Sequence, residues 1–138
     1  NHHPAFGLRV NKRKINQDEY LLKLDEVNLE YKLIQNKICL VKPINITGLP
    51  FFNDGFISIQ DIAAQSSIEI LTKYQIQPKY VLDACAAPGG KTCQLLENIN
   101  CEVVALDIDE TRLNKVSDNL KRLNLEAELK LGNAMNKL

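Results

Sequence analysis

Between Tyr80 and Leu131 the chain alternates short apolar runs with amphipathic stretches, and the joints between them are short. Tyr80-Val81-Leu82-Asp83 reads as a strand, Pro88-Gly89-Gly90 as a turn, and Lys91 to Glu97 as the start of a helix. Cys101 to Leu106 is a second apolar strand ending at Asp107, and Asp109 can cap a helix in which Leu113, Val116, Leu120 and Leu123 recur at three- and four-residue spacing. Ala127 to Leu131 is a third strand. This β-α-β-α-β order with short joints requires parallel strands joined by helical crossovers, hence half of a doubly wound sheet.

The first part of the chain has a different grain. Leu8 to Asn11 is a short strand, followed by the basic cluster Lys12-Arg13-Lys14. Asn16 to Asn28 places Tyr20, Leu21, Leu24 and Val27 at helical spacing, with Asn16 or Asp18 as cap. Tyr31 to Ile34 and Lys37 to Val41 read as two strands turning near Gln35-Asn36. Strand, helix, strand, strand predicts a small α+β unit over residues 1–50, with its helix on one sheet face. Pro43 to Gly55, rich in turn formers, reads as the connection to a second domain over residues 51–138. From Ile57 the pattern is read as helical, with Ile59, Ile62, Ala63, Ser66, Ile70 and Leu71 on one face.

Charge separates the two parts. Seventeen basic and seventeen acidic side chains balance over 138 residues, but residues 1–50 hold eight basic against five acidic and residues 51–138 nine against twelve. The first part is the one suited to an acidic partner. No apolar run is long enough to span a bilayer, and the start has neither region of a secretory signal, so a cytoplasmic protein with no membrane contact is expected. Cys39, Cys85, Cys93 and Cys101 form no CxxC pair and have no histidine close by, so reduced thiols and no metal are expected.

Leu82 to Thr92 carries the most chemistry. A small-residue loop at the carboxyl end of a first parallel strand lets a ligand approach the main chain, and the amides of the following helix start can meet a negative group. The spacing is neither GxGxxG nor a P-loop, because Gly89 and Gly90 are adjacent and no earlier glycine is present. Asp107, at the end of the second strand, stands where an acid accepts hydrogen bonds from both hydroxyls of a ribose, which points to an adenosine-containing cofactor. Asp83 fits either a ligand contact or a hydrogen bond to the loop. Lys91 fits a place over a ligand or in water, and the Lys12-Arg13-Lys14 run a phosphate contact or a solvated surface. Cys85, without a histidine beside it, reads as a small packing residue rather than a nucleophile.

Asp83-Ala84-Cys85-Ala86-Ala87-Pro88-Gly89-Gly90-Lys91-Thr92, then Val104 to Asp109, Arg112-Leu113 and Asn119 to Leu123, closely resemble the RNA cytosine-5 methyltransferases of the Sun superfamily. Within it they look most like the bacterial branch acting on small-subunit ribosomal RNA. Leu8 to Asn11 and Gly55 to Asp61 resemble the entry to the same catalytic region. The resemblance implies an α/β fold: a partial Rossmann-like S-adenosylmethionine-dependent methyltransferase sheet preceded by a small α+β subdomain. It implies S-adenosyl-L-methionine as cofactor, its amino-acid end wrapped by Cys85, Ala86, Ala87, Pro88, Gly89, Gly90 and Lys91, with Asp107 on the ribose and Arg112 fixing the acidic loop. Near the adenine the family usually has Gly-Asp; here the pair is Gly132-Asn133.

The resemblance also implies a ribosomal RNA partner, a monomer, and a reaction in which one cysteine adds to C6 of cytosine while another helps release product. In the family those cysteines follow the fourth and fifth strands, in Pro-Cys and Thr-Cys contexts that this stretch does not reach, so it is expected to hold the cofactor half without catalysis. Two other readings stand beside it. A nicotinamide-dependent oxidoreductase would need the missing GxGxxG loop, and a noncatalytic RNA-binding module would keep the fold alone.

Overall fold

The computed structural model describes residues 6–84, 86 and 89–132. Its elements, in order, are β1 (Phe6–Val10), α1 (Gln17–Glu26), β2 (Tyr31–Ile34), β3 (Lys37–Leu40), a 3-10 turn (Ile46–Gly48), β4 (Ile57–Ile59), α2 (Ile62–Lys73), β5 (Tyr80–Ala84), α3 (Gly90–Asn98), β6 (Glu102–Asp107), α4 (Glu110–Leu123) and β7 (Glu128–Leu131). They fall into two compact units, the first running to Ser67 and the second beginning at Ile68.

The first unit is an antiparallel sheet of order β2-β3-β1-β4. Leu8, Val10, Ile38, Leu40 and Ile57 bury one face with Tyr20 and Leu24 of α1. Helix α1 begins at Asn16, whose Oδ1 accepts from the Glu19 amide at 2.8 Å while its Nδ2 donates to Glu19 Oε1 at 2.6 Å, a reciprocal cap. Tyr20 is fully buried, and its hydroxyl donates to the Pro50 carbonyl at 2.8 Å. Burial pushes its phenol above the ordinary tyrosine range.

Two features depart from the sequence reading. Residues 57–59 form a strand, not the start of a helix, because Ile57, Ser58 and Ile59 pair with Val10, Arg9 and Leu8 of β1. Helix α2 begins only at Ile62. The first unit consequently extends past the expected limit at residue 50, since its sheet needs β4. Gly7 sits where this strand leaves the sheet: the Gln60 amide donates to the Gly7 carbonyl at 3.0 Å, and a Cβ on Gly7 would lie 2.3 Å from the Gln60 carbonyl oxygen.

The β2–β3 hairpin turns on Gln35 and Asn36, with φ of 51° and 63°. Two consecutive left-handed residues make the turn that matches strand twist, and glycine is the relaxed residue at its second position. Asn36→Gly is expected to stabilise the first unit by about 0.5–1 kcal/mol, read as a higher midpoint in thermal unfolding.

The second unit is a parallel sheet of order β5-β6-β7. Val103, Ala105 and the partly buried Val81 and Leu129 pack with Cys93, Leu95 and Leu96 of α3 and Leu113, Val116, Leu120 and Leu123 of α4. Consecutive strands laid side by side place both crossovers on one face. Residues of the other pleat, Tyr80 and Leu82, are exposed. Helix α4 is capped by Asp109, which accepts from the Thr111 and Arg112 amides, and ends on Asn124 at φ 57°. Among the described residues, no helix is long and apolar enough to cross a membrane.

Candidate functional site

The carboxyl ends of β5 and β6 bring together the residues that the sequence singled out. Asp83 pairs in register with Ala105, so Asp107, two residues further along β6, projects from the same pleat. Asp83 is half-buried, and the Thr92 hydroxyl donates to its Oδ2. This bond ties the last turn of the strand to the first turn of α3, across the whole small-residue loop. It gives Asp83 a structural share of work. Sequence reading missed Thr92; the nine-residue interval from the acid to a hydroxyl in the helix's first turn was the available signal.

Within the loop, the Ala86 amide donates to the Leu106 carbonyl at 2.9 Å and the Gly89 amide to the Ala86 carbonyl at 2.6 Å. Ala86 is thus pinned to β6, and Gly89 to Ala86. Gly89 precedes α3 with φ 100° and offers no side-chain cap. A Cβ there would stand 3.3 Å from the Val116 Cα and Cγ1, so the start of α3 approaches the backbone of α4 as only glycine allows. Gly90 is the first helical residue and the Lys91 side chain is exposed. Cys85, Ala87, Pro88 and Asn133 lie outside the described residues.

Asp107 is 3% exposed. Its Oδ1 accepts from the Asp109 amide at 3.0 Å, and its own carbonyl accepts from the Gly132 amide at 2.9 Å. The second bond brings the end of β7, just before Asn133, beside the end of β6. The Arg112 guanidinium is half exposed and stands 3.8 Å from Asp107 Oδ2, an ion pair beyond hydrogen-bond length. Arg112 contributes more directly through its amide, which caps on Asp109. The loop Asp107-Ile108-Asp109 is therefore held by its two aspartates, whose Oδ1 atoms accept from backbone amides, with Ile108 68% exposed at its tip.

The arrangement places two acidic side chains, one of them bonded to the first turn of a helix, at the strand ends where parallel sheets take their ligands. A concavity of about 1210 Å³ lies toward the other end of the strands, near Tyr80, Glu102 and Ala127, and does not include Asp83, Gly89 or Asp107 in its lining. Cys39 and Cys93 are buried thiols. Cys101 precedes β6 and so lies roughly 20 Å from Asp107 at about 3.3 Å per strand residue. Among the described residues, no three His, Cys, Asp or Glu gather as a metal site.

Comparison with known proteins adds the relationship. Residues 71–136 match the family model described as 16S rRNA methyltransferase RsmB/F. Over 99% of its length the chain is 45% identical to the ribosomal RNA small subunit methyltransferase B of Vibrio vulnificus, of which it covers 32%. It spans about a third of the length of the curated relatives it matches. Among solved structures, PH0851 superposes on 97% of this chain with a TM-score of 0.84 at 28% identity, using 31% of its own chain. A methyltransferase homolog protein from Pyrococcus horikoshii superposes on 96% with a TM-score of 0.80 at 30% identity, using 45% of its own. The sheet is that of the Rossmann-like methyltransferases. With the family model lying on the unit that carries Asp83, Gly89 and Asp107, and the curated relatives aligned through both units, this chain is similar along nearly its whole length to the 16S rRNA methyltransferases described by the RsmB/F family model.

Proposed function

We propose that the protein methylates C5 of a cytosine in small-subunit ribosomal RNA in the cytoplasm, and that this chain supplies the half that holds S-adenosylmethionine. The observation carrying this reading is Asp107, buried at the carboxyl end of β6, the strand paired with the β5 whose loop leads into the glycine-opened start of α3. The residues present fit the cofactor. A carboxylate that only accepts suits the two vicinal hydroxyls of a ribose. The amides at the start of α3 suit the carboxylate of the amino-acid end, and the small residues Ala86, Gly89 and Gly90 admit it close to the main chain.

On this reading Asp107 orients the ribose, with Asp109 and Arg112 holding the acidic loop. Asp83 and Thr92 keep the loop of Cys85 to Lys91 at its height above the sheet, and Asn133 serves the adenine. When bound, the cofactor supplies an electrophilic methyl group on its sulfonium. Within the second unit Cys93 is packed into the core and Cys101 lies at the end of β6 opposite Asp107, so neither is placed to be the thiol that attacks C6. The relatives' names, all of ribosomal RNA methyltransferases, support the substrate class.

The test is calorimetric titration with S-adenosylmethionine, with NADH as control. Saturable binding of S-adenosylmethionine alone is expected. Asp107→Ala should weaken it about a hundredfold or more, since two charge-assisted hydrogen bonds contribute about 1.5–3 kcal/mol each. Equal binding by the variant, or competition by NADH, would refute the cofactor assignment. For the base, ribosomal RNA from cells lacking the full-length protein should have lost one 5-methylcytosine, restored by the intact gene.

A further inference from the structure

The first unit holds one large aromatic side chain in a backbone conformation that glycine adopts without strain. Phe51 has φ 57°, in the left-handed region, yet its ring is 43% exposed, so deep burial does not account for its being there. The ring is nevertheless kept in order. Phe56 stacks against it with centroids 5.1 Å apart and planes 20° from parallel, and Lys23 Nζ stands over it, 4.5 Å from the centroid.

The same loop is stitched to the basic turn. The Asn11 amide donates to the Phe56 carbonyl at 2.8 Å, Asn11 Nδ2 to the Gly55 carbonyl at 3.1 Å, and Lys14 Nζ to the Asp54 carbonyl at 2.7 Å. Asn11 is itself 1% exposed, so this junction is a fixed one. Lys12 and Arg13 point into solvent from it. Lys23 thus stands over an exposed aromatic ring, and the loop that carries the ring is tied through Asp54, Gly55 and Phe56 to the turn that carries Lys12, Arg13 and Lys14.

We propose that Phe51, Lys23 and the Lys12–Lys14 turn form a contact site for single-stranded RNA, in which an unpaired base stacks on Phe51 and the cations meet the flanking phosphates. The proposal rests on the reading that the protein acts on RNA. A single ring with a cation over it and a basic turn tied to its loop suits an unpaired strand, because a base must leave its own stack to lie on the ring. The ammonium of Lys23 is a weak cover. A cation over an exposed ring is held less firmly than a stacked base, and once displaced it is already beside the phosphate of that nucleotide.

The experiment is fluorescence-anisotropy titration of the full-length protein with a labelled single-stranded RNA of roughly ten nucleotides, at several salt concentrations. Phe51→Gly should weaken binding by about tenfold, with the salt slope unchanged because no cation is lost. Its thermal midpoint should change little, since the ease of glycine at φ 57° offsets the lost stack on Phe56 and the lost contact with Lys23. Phe51→Trp should retain the affinity, and Lys12→Ala with Arg13→Ala should lower the magnitude of the salt slope by about 1.4. Unchanged affinity in Phe51→Gly would overturn the proposal, as would equal weakening in Phe51→Trp. If the unsubstituted protein bound no RNA, the reading of the whole protein as acting on RNA would fail first; S-adenosylmethionine titration of the same samples reports the other unit separately.

Discussion

Gly7→Ala is expected to unfold the first unit at temperatures where the unsubstituted protein is folded, with a loss of about 3 kcal/mol or more. The new Cβ would lie 2.3 Å from the Gln60 carbonyl oxygen and 3.3 Å from the Ile62 amide nitrogen. Both are backbone atoms, so no rotamer change can relieve the overlap. Moving them away breaks the bond from the Gln60 amide to the Gly7 carbonyl, and shifts the pairing of β4 with β1 that sets Ile57 into the core. Gly48→Ala is the control. Its Cβ would meet only the Ile44 Cδ1 at 3.5 Å, an ordinary separation, and a change within about 0.5 kcal/mol is expected. Thermal unfolding with amide hydrogen exchange would check both, the exchange showing whether protection is lost in β1, β3 and β4. Full protection in Gly7→Ala would contradict the close approach of these two backbones.

Gly89→Ala should destabilise the second unit by about 2–4 kcal/mol and abolish cofactor binding with it. Two costs combine there: a side chain at φ 100°, and a Cβ 3.3 Å from the main chain of α4 at Val116. They can be separated. Val116→Ala, itself costly because Val116 is fully buried, removes the Cγ1 that the new methyl would meet at 3.3 Å. It leaves the crowding against the α4 main chain and the strained backbone angle, so the double variant should lose less than the sum of the two single losses, by only part of the Gly89→Ala cost. A coupling equal to the whole Gly89→Ala loss would mean that side-chain packing alone required the glycine. The midpoint of chemical unfolding measures the first effect and S-adenosylmethionine titration the second.

The second unit was largely legible in advance because its order is carried by local signals. Asp109 caps α4, and Leu113, Val116, Leu120 and Leu123 repeat at helical spacing; all four are buried. Asp107 ends its strand as the sequence indicates. The β2–β3 hairpin was also readable, since two strand-like runs flank a two-residue turn. Strand β4 was not. Its alternation of Ile57, Ser58 and Ile59 runs straight into the spacing of Ile62, Ala63 and Ser66, and three residues are too few to show a period of their own. Pairing with β1, more than forty residues earlier, is what makes them a strand.

The candidate site divides along the same line. Residue types and order alone mark the small-residue loop, the acid at the end of the second strand and the capped helix after it, because each is a short-range pattern of shape and charge. The bonds and close approaches that hold these pieces at working distance came only from the tertiary structure: Thr92 on Asp83, Ala86 on Leu106, Gly132 on Asp107, and Gly89 against Val116. The same holds for the left-handed Phe51 with Lys23 over its ring, and for Gly7 against Gln60. Propensity and periodicity act over one or two turns of chain, whereas these interactions join separate segments whose approach is set by how sheets and helices pack.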